Sequence, residues 1–136
     1  MPSQPFVTQL PVRFRDLDAF GHVNTAVHAS YIEEARIAYF EQVVGVDLAS
    51  VGTVVASLSV DYRQPVEFGD DLAVETVVSE IGTTSLTLDH ELRVSGETVS
   101  TATVVLVHYD YESDEPVPVP DAWRAAIADF EGHTIE

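Results

Sequence analysis

The chain has 136 residues, 46% of them hydrophobic and none of them cysteine; that is enough apolar material for one buried core, and it excludes disulfides and thiolate chemistry. Twenty-three acidic residues face six basic ones, all Arg, for a net charge of −17, and without a basic stripe to meet phosphates nucleic acid is excluded as a partner. No apolar run approaches the roughly 20 residues needed to span a bilayer, and residues 1–8 lack the basic and apolar regions of a secretory leader, so a cytoplasmic protein with no membrane association is expected.

The acids are scattered through every segment. At low salt such a charge strains a small fold by self-repulsion. With Lys absent altogether, the composition reads as halophilic, an adaptation to molar salt where the Debye length falls to about 3 Å.

In chain order, residues 7–15 are the first predicted strand, with Leu10, Val12 and Phe14 on one face and Pro11 marking an edge position. A loop over 16–24 follows. Residues 25–44 then read as one long helix, with Ile32, Ala35, Tyr39 and Val43 at helical spacing and Gly45 as its terminator. The small side chains of Ala29, Ala35 and Ala38 would let a sheet approach closely.

Residues 53–111 are strand-like throughout. Ala56, Leu58, Val60 and Tyr62 form one stripe, Leu72, Val74, Thr76 and Val78 a second, and Leu86, Leu88, His90, Leu92 and Val94 a third. Residues 99–109 are the longest and most apolar run, which suits a central strand. Turns are expected at Gln64-Pro65, at 67–70, at Gly82-Thr83 and at 95–97. The extension over 112–136 is acidic and Pro-rich; 112–120 reads as extended, and Asp121 would cap a short helix carrying Trp123, Ile127 and Phe130 on one side.

The expected architecture is α+β, a single domain over 1–136 in which a five-stranded antiparallel sheet wraps around one long central helix. One helix covers one face of such a sheet, so the other must meet solvent or a partner, and dimerisation is the natural completion.

The chemistry concentrates in Asp16-Leu-Asp-Ala-Phe-Gly-His-Val-Asn24, between a strand and a helix N-terminus. A calcium loop fails, because Phe20 and Val27 would occupy ligand positions and neither offers a side-chain oxygen. A transition-metal site from Asp16, Asp18 and His22 finds no second cluster to support it. Two readings stay open on the residues alone. In one, the aspartates cap the turn while His22 and Asn24 fix the loop. In the other, a carboxylate beside unsatisfied helix N–H groups hydrolyses an acyl substrate, with those N–H groups stabilising the oxyanion.

The run Val12-Arg-Phe-Arg-Asp-Leu-Asp-Ala-Phe-Gly-His-Val-Asn24, followed by Tyr31-Ile-Glu-Glu-Ala-Arg36, resembles the signature of the 4-hydroxybenzoyl-CoA thioesterase-like hotdog family. Asp61-Tyr-Arg-Gln-Pro65 and Phe68-Gly-Asp70 are similar to that family's downstream strand and turn. The resemblance implies a hotdog fold, an acyl-CoA substrate, no metal and no organic cofactor, and a homodimer or homotetramer. Carried over by position, it makes Asp18 the catalytic carboxylate and the backbone N–H of Thr25, at the start of the helix, the donor to the thioester carbonyl. His22 and Asn24 match the loop's His and Asn, with His22 auxiliary, and Asp16 fixes the loop. Substrate contacts fall to Tyr31, Arg63, Ser85 and Arg93, the two arginines as candidates for the CoA phosphates.

This chain departs from the family where Thr25 stands for a common Asn and His28 for a common Tyr, both near the acyl pocket. Glu33, Glu34 and Glu41 lie on the helix, where a second hotdog lineage keeps its carboxylate; here a salt bridge of Glu33 or Glu34 with Arg36 is expected. His90, His108 and His133 receive no role. Two alternatives remain: a non-catalytic acyl-CoA-binding protein, and an enoyl-CoA hydratase, whose Asp and His are separated by four residues where Asp18 and His22 are separated by three.

Overall fold

The structure is a computed structural model and describes residues 5–132, so His133 and the first half of the segment read for a leader lie outside the described residues. Strand β1 (Phe6–Pro11) leads through a single 3-10 turn at Phe14–Asp16 and a loop into helix α1 (Val27–Tyr39). Strands β2 (Thr53–Tyr62), β3 (Asp71–Ile81), β4 (Ser85–Val94) and β5 (Glu97–Asp110) follow, then a two-residue strand β6 (Glu115–Pro116) and helix α2 (Asp121–Glu131). The sheet is antiparallel in the order β1-β3-β4-β5-β2, with β6 paired to the end of β5. This is the hotdog arrangement, a curled sheet folded about a helix.

The inner face of the sheet follows the predicted stripes. Leu72, Val74, Thr76 and Val78 of β3, and Leu86, Leu88, His90 and Leu92 of β4, are all buried beneath α1, which seats Tyr31, Ile32, Ala35 and Tyr39 against them. Period-2 alternation puts every second residue on one face, and the hydrophobic set chooses that face. Two clusters result. One, around Val12, Val23, Tyr31, Ile32 and Val66, underlies the loop before α1; the other, around Phe6, Tyr39, Phe40, Leu88 and Leu106, is closed by Trp123 and Ile127 of α2.

Several boundaries differ from the sequence reading, each for a local reason. The first strand ends at Pro11, which has no N–H to continue the ladder, and Phe14 is 77% exposed rather than sharing a buried face with Leu10 and Val12. The long helix is α-helical only from Val27 to Tyr39; Phe40–Val44 continues with π-helical bonding, and Gly45, at φ +82°, ends it with its N–H on the Phe40 carbonyl. Ala56 forms a bulge in β2, so the residues before it are out of step with Leu58, Val60 and Tyr62. Ser95 and Gly96 both take positive φ, the requirement of a two-residue hairpin turn. Residues 111–114 turn back rather than extending, which brings Glu115–Pro116 onto β5 as a sixth strand. At α2, Pro120 occupies the cap position and Asp121 is the first helical residue, where its charge still suits the positive helix end. Among the described residues, no helix is long and apolar enough to cross a membrane.

Candidate active site

The loop between β1 and α1 is held by its own backbone. The N–H of Asp18 donates to the His22 carbonyl at 2.7 Å, Gly21 N–H returns to the Asp18 carbonyl at 3.2 Å, and Leu17 pairs with Val23 across this turn. Gly21 sits at φ +82°, a conformation that side-chain-bearing residues rarely adopt. Two further contacts tie the loop to the segment after β2: Val23 N–H donates to the Val66 carbonyl at 2.7 Å, and His22 bridges to Glu67.

The two aspartates are in different environments. Asp16 is buried; its Oδ2 accepts the Tyr31 hydroxyl at 2.7 Å and the Arg13 N–H at 3.0 Å. Burial pushes its carboxyl up, but the Tyr31 and Arg13 hydrogen bonds and the charges of Arg13 and Arg15 outweigh that, and the net direction is down. Asp18 is only half-buried. Its Oδ1 accepts the N–H groups of Phe20 at 2.8 Å and His22 at 3.2 Å, which leaves Oδ2 clear of protein donors among the described residues.

Asp18 opens onto a cavity of about 280 Å³ lined by His22, Val23, Thr25 and His28 on one side and by Tyr62, Arg63, Gln64 and Pro65 on the other. Four sequence candidates therefore meet at one cavity: Asp18, His22, Thr25 and Arg63. Thr25 lies two residues before the first helical residue, Val27, and not at the helix start itself. Ala26 occupies the cap position without a side-chain cap, and the turn ahead of it is held by Asn24, whose Oδ1 accepts the Ala26 N–H at 2.8 Å and whose carbonyl accepts the Val27 N–H at 2.9 Å. Among the described residues no hydrogen bond engages the Thr25 N–H. A donor left over at a helix entrance, beside a carboxylate, is an arrangement that can hold an oxyanion.

His28 forms the floor. It is 2% exposed, its Nδ1 lies 3.2 Å from the Ser100 hydroxyl, and its ring meets Tyr62 edge-on at 4.9 Å. Burial pushes its imidazole below the ordinary value, so it is neutral near pH 7. His22 is half-buried, with Nε2 3.9 Å from Glu67.

The remaining candidates lie elsewhere in the single chain. Tyr31 is directed at Asp16 and is fully buried, so it supports the loop from beneath. Ser85 opens β4 beside the Gly82 turn. Arg93, near the other end of β4, is held by Glu75 at 2.7 Å and Glu91 at 2.9 Å. The expected helix pair is Arg36 with Glu33, at 3.7 Å, while Glu34 turns instead to Arg13 at 3.8 Å. Tyr62, Gln64 and Pro65 belong to the cavity, and no sequence argument singled them out as site residues. Their signal was adjacency, since they flank Arg63 within the Asp61–Pro65 motif. Among the described residues, no group of three or more His, Cys, Asp or Glu is placed to hold a metal ion.

Residues 12–127 match the thioesterase-like superfamily. The chain is 36% identical over 128 residues to the uncharacterized protein YsmA of Bacillus subtilis, covering 92% of this chain and 86% of that one. It is 32% identical over 124 residues to the acyl-CoA thioesterase YbgC of Haemophilus influenzae, covering 86% and 91%. Among solved structures, a thioesterase from Thermus thermophilus complexed with coenzyme A and Zn superposes with a TM-score of 0.87 at 38% identity, over 95% of this chain and 96% of that one.

Proposed function

The chain belongs to the thioesterase-like superfamily and is a thioester hydrolase, and from that premise we propose that it cleaves an acyl-CoA to the free acid and CoA at the Asp18 cavity. The observation that carries this reading is the pairing, in one cavity, of a carboxylate oxygen and a backbone N–H that have no hydrogen-bond partner among the described residues.

Asp18 Oδ2 removes a proton from water as it attacks the thioester carbonyl, or attacks that carbonyl itself; either route places negative charge on the carbonyl oxygen, where the Thr25 N–H receives it. The C–S bond then breaks and the electron pair leaves with the CoA sulfur, which takes up the proton removed from water; on the direct-attack route water then hydrolyses the acyl-Asp18 anhydride, freeing the acid and supplying that proton. His22 lines the same cavity, which supports it as the side chain that relays this proton. Arg63 lines the cavity and makes no salt bridge among the described residues, which supports it over Arg93 as the contact to the CoA phosphates.

The edge strand β2 exposes Val55 at 47% and Leu58 at 42%, an apolar margin suited to a second copy, and we propose a homodimer or a homotetramer as the working enzyme. The charge of −17 supports a molar-salt cytoplasm as its setting. The test is free-thiol release from short, long and aromatic acyl-CoAs at high KCl, with direct binding measured alongside. Binding without release would give the site to the non-catalytic reading, and loss of the double bond of crotonyl-CoA to the hydratase.

A further inference from the structure

Tyr62 ends β2, and its hydroxyl crosses the cavity to donate to the Thr25 carbonyl at 2.7 Å. That carbonyl shares a peptide unit with the Ala26 N–H, which is itself bonded to Asn24 Oδ1 at 2.8 Å. The peptide is therefore gripped at both ends by side chains. The preceding unit is gripped once: its carbonyl, on Asn24, accepts Val27 N–H at 2.9 Å, and its N–H is that of Thr25. Rotation of Thr25 about its own φ and ψ would have to break one of these bonds, so the direction of its N–H is set before any substrate arrives.

The tyrosine is itself well placed to act as a fixed strut. It pairs with Ser100 across the ladder, the next two N–H groups, of Arg63 and Gln64, both donate to the Val99 carbonyl at 2.9 and 3.1 Å, and its ring rests edge-on against buried His28. Yet its side chain is half open to solvent, so burial alone does not explain an aromatic hydroxyl here. We propose that Tyr62 is a positioning residue for thioester hydrolysis: it holds the loop peptide after Thr25 so that the Thr25 N–H points at the forming oxyanion. The inference rests on the hydrolase reading of the Asp18 cavity.

Donors aimed at charge that develops only in the transition state act on turnover and not on ground-state binding. Tyr62→Phe keeps the ring against His28 and deletes only the bond to Thr25. It should lower kcat about 10- to 100-fold, the scale of a misaligned oxyanion donor. Affinity for a non-hydrolysable thioether analogue of the best acyl-CoA should stay within about twofold, and the melting curve should remain cooperative. Tyr62→Leu, which removes the ring as well, should weaken analogue binding in addition. Unchanged kcat in a folded Tyr62→Phe would overturn the proposal, as would a kcat loss matched by an equal loss of analogue binding. No thiol release from the wild type across the panel would overturn the hydrolase reading itself, and this inference with it; activity in the wild type retained in Tyr62→Phe would overturn the inference alone.

Discussion

The Tyr31 hydroxyl donates to Asp16 Oδ2 at 2.7 Å, and that bond separates the duties of two aspartates that stand two residues apart. Asp16 is consumed in holding the loop, while Asp18 faces the cavity. Tyr31→Phe leaves a buried carboxylate oxygen short of one donor and should cost about 1–3 kcal/mol of stability, read by denaturant unfolding. The sign with pH follows from the lowered Asp16 value: its contribution is present above the ordinary value of 3.8 and is lost as pH falls through the folded one. Below pH 4 the wild type should therefore lose stability more steeply than Tyr31→Phe.

His90 offers a second pH test, away from the site. It is 3% exposed, bonded through Nδ1 to Thr76 at 3.0 Å, and its Nε2 has no partner among the described residues. Burial first, and the nearby Arg36 charge second, push its imidazole down to about 4 from 6.5. Between those values the unfolded chain takes up a proton that the folded chain does not, so stability falls as pH falls, by at most about 1.4 kcal/mol per pH unit from this group. His90→Gln should flatten that slope between pH 6.5 and 4; an unchanged slope would remove His90 as its source.

At the other end of α1 from the cavity, Glu131 of α2 accepts the Tyr39 hydroxyl at 2.6 Å and the Val78 N–H at 3.1 Å, all three groups being buried. Glu131→Ala strands both donors and should destabilise by about 1–3 kcal/mol for each. Ile127→Ala beside it should cost about 2–5 kcal/mol through the cavity it leaves. Neither change touches the cavity at Asp18, so kcat on the best substrate, measured well below the melting point, should be unaltered.

Much of this molecule is legible from its residue pattern because β3 and β4 carry a clean alternation. Leu86, Leu88, His90 and Leu92 could occupy only one face, and that face met the helix. What escaped was set by contacts between distant segments. Glu131 looks like one more surface acid in an acidic chain until α2 folds back on Tyr39 and Val78. Tyr62 reads as the end of an apolar stripe, and only the approach of the loop 37 residues earlier gives its hydroxyl a carbonyl to bond. The helix start was placed two residues early because Thr25 and Ala26 form a turn ahead of the helix, held by Asn24, whose side chain reaches over Thr25 to the Ala26 N–H. Within the site, the loop motif pointed to the Asp18 side of the cavity, whereas the His28 and Tyr62 floor depends on the register of β2 against β5, which alternation alone does not set.

The most direct test of the central claim is thiol release by Asp18→Asn against the wild type on whichever acyl-CoA the wild type cleaves best. The substitution preserves shape and keeps an oxygen for the Phe20 and His22 N–H groups, so the melting midpoint should hold while kcat falls by about two orders of magnitude or more. A folded Asp18→Asn protein that turns over at near wild-type rate would contradict the account.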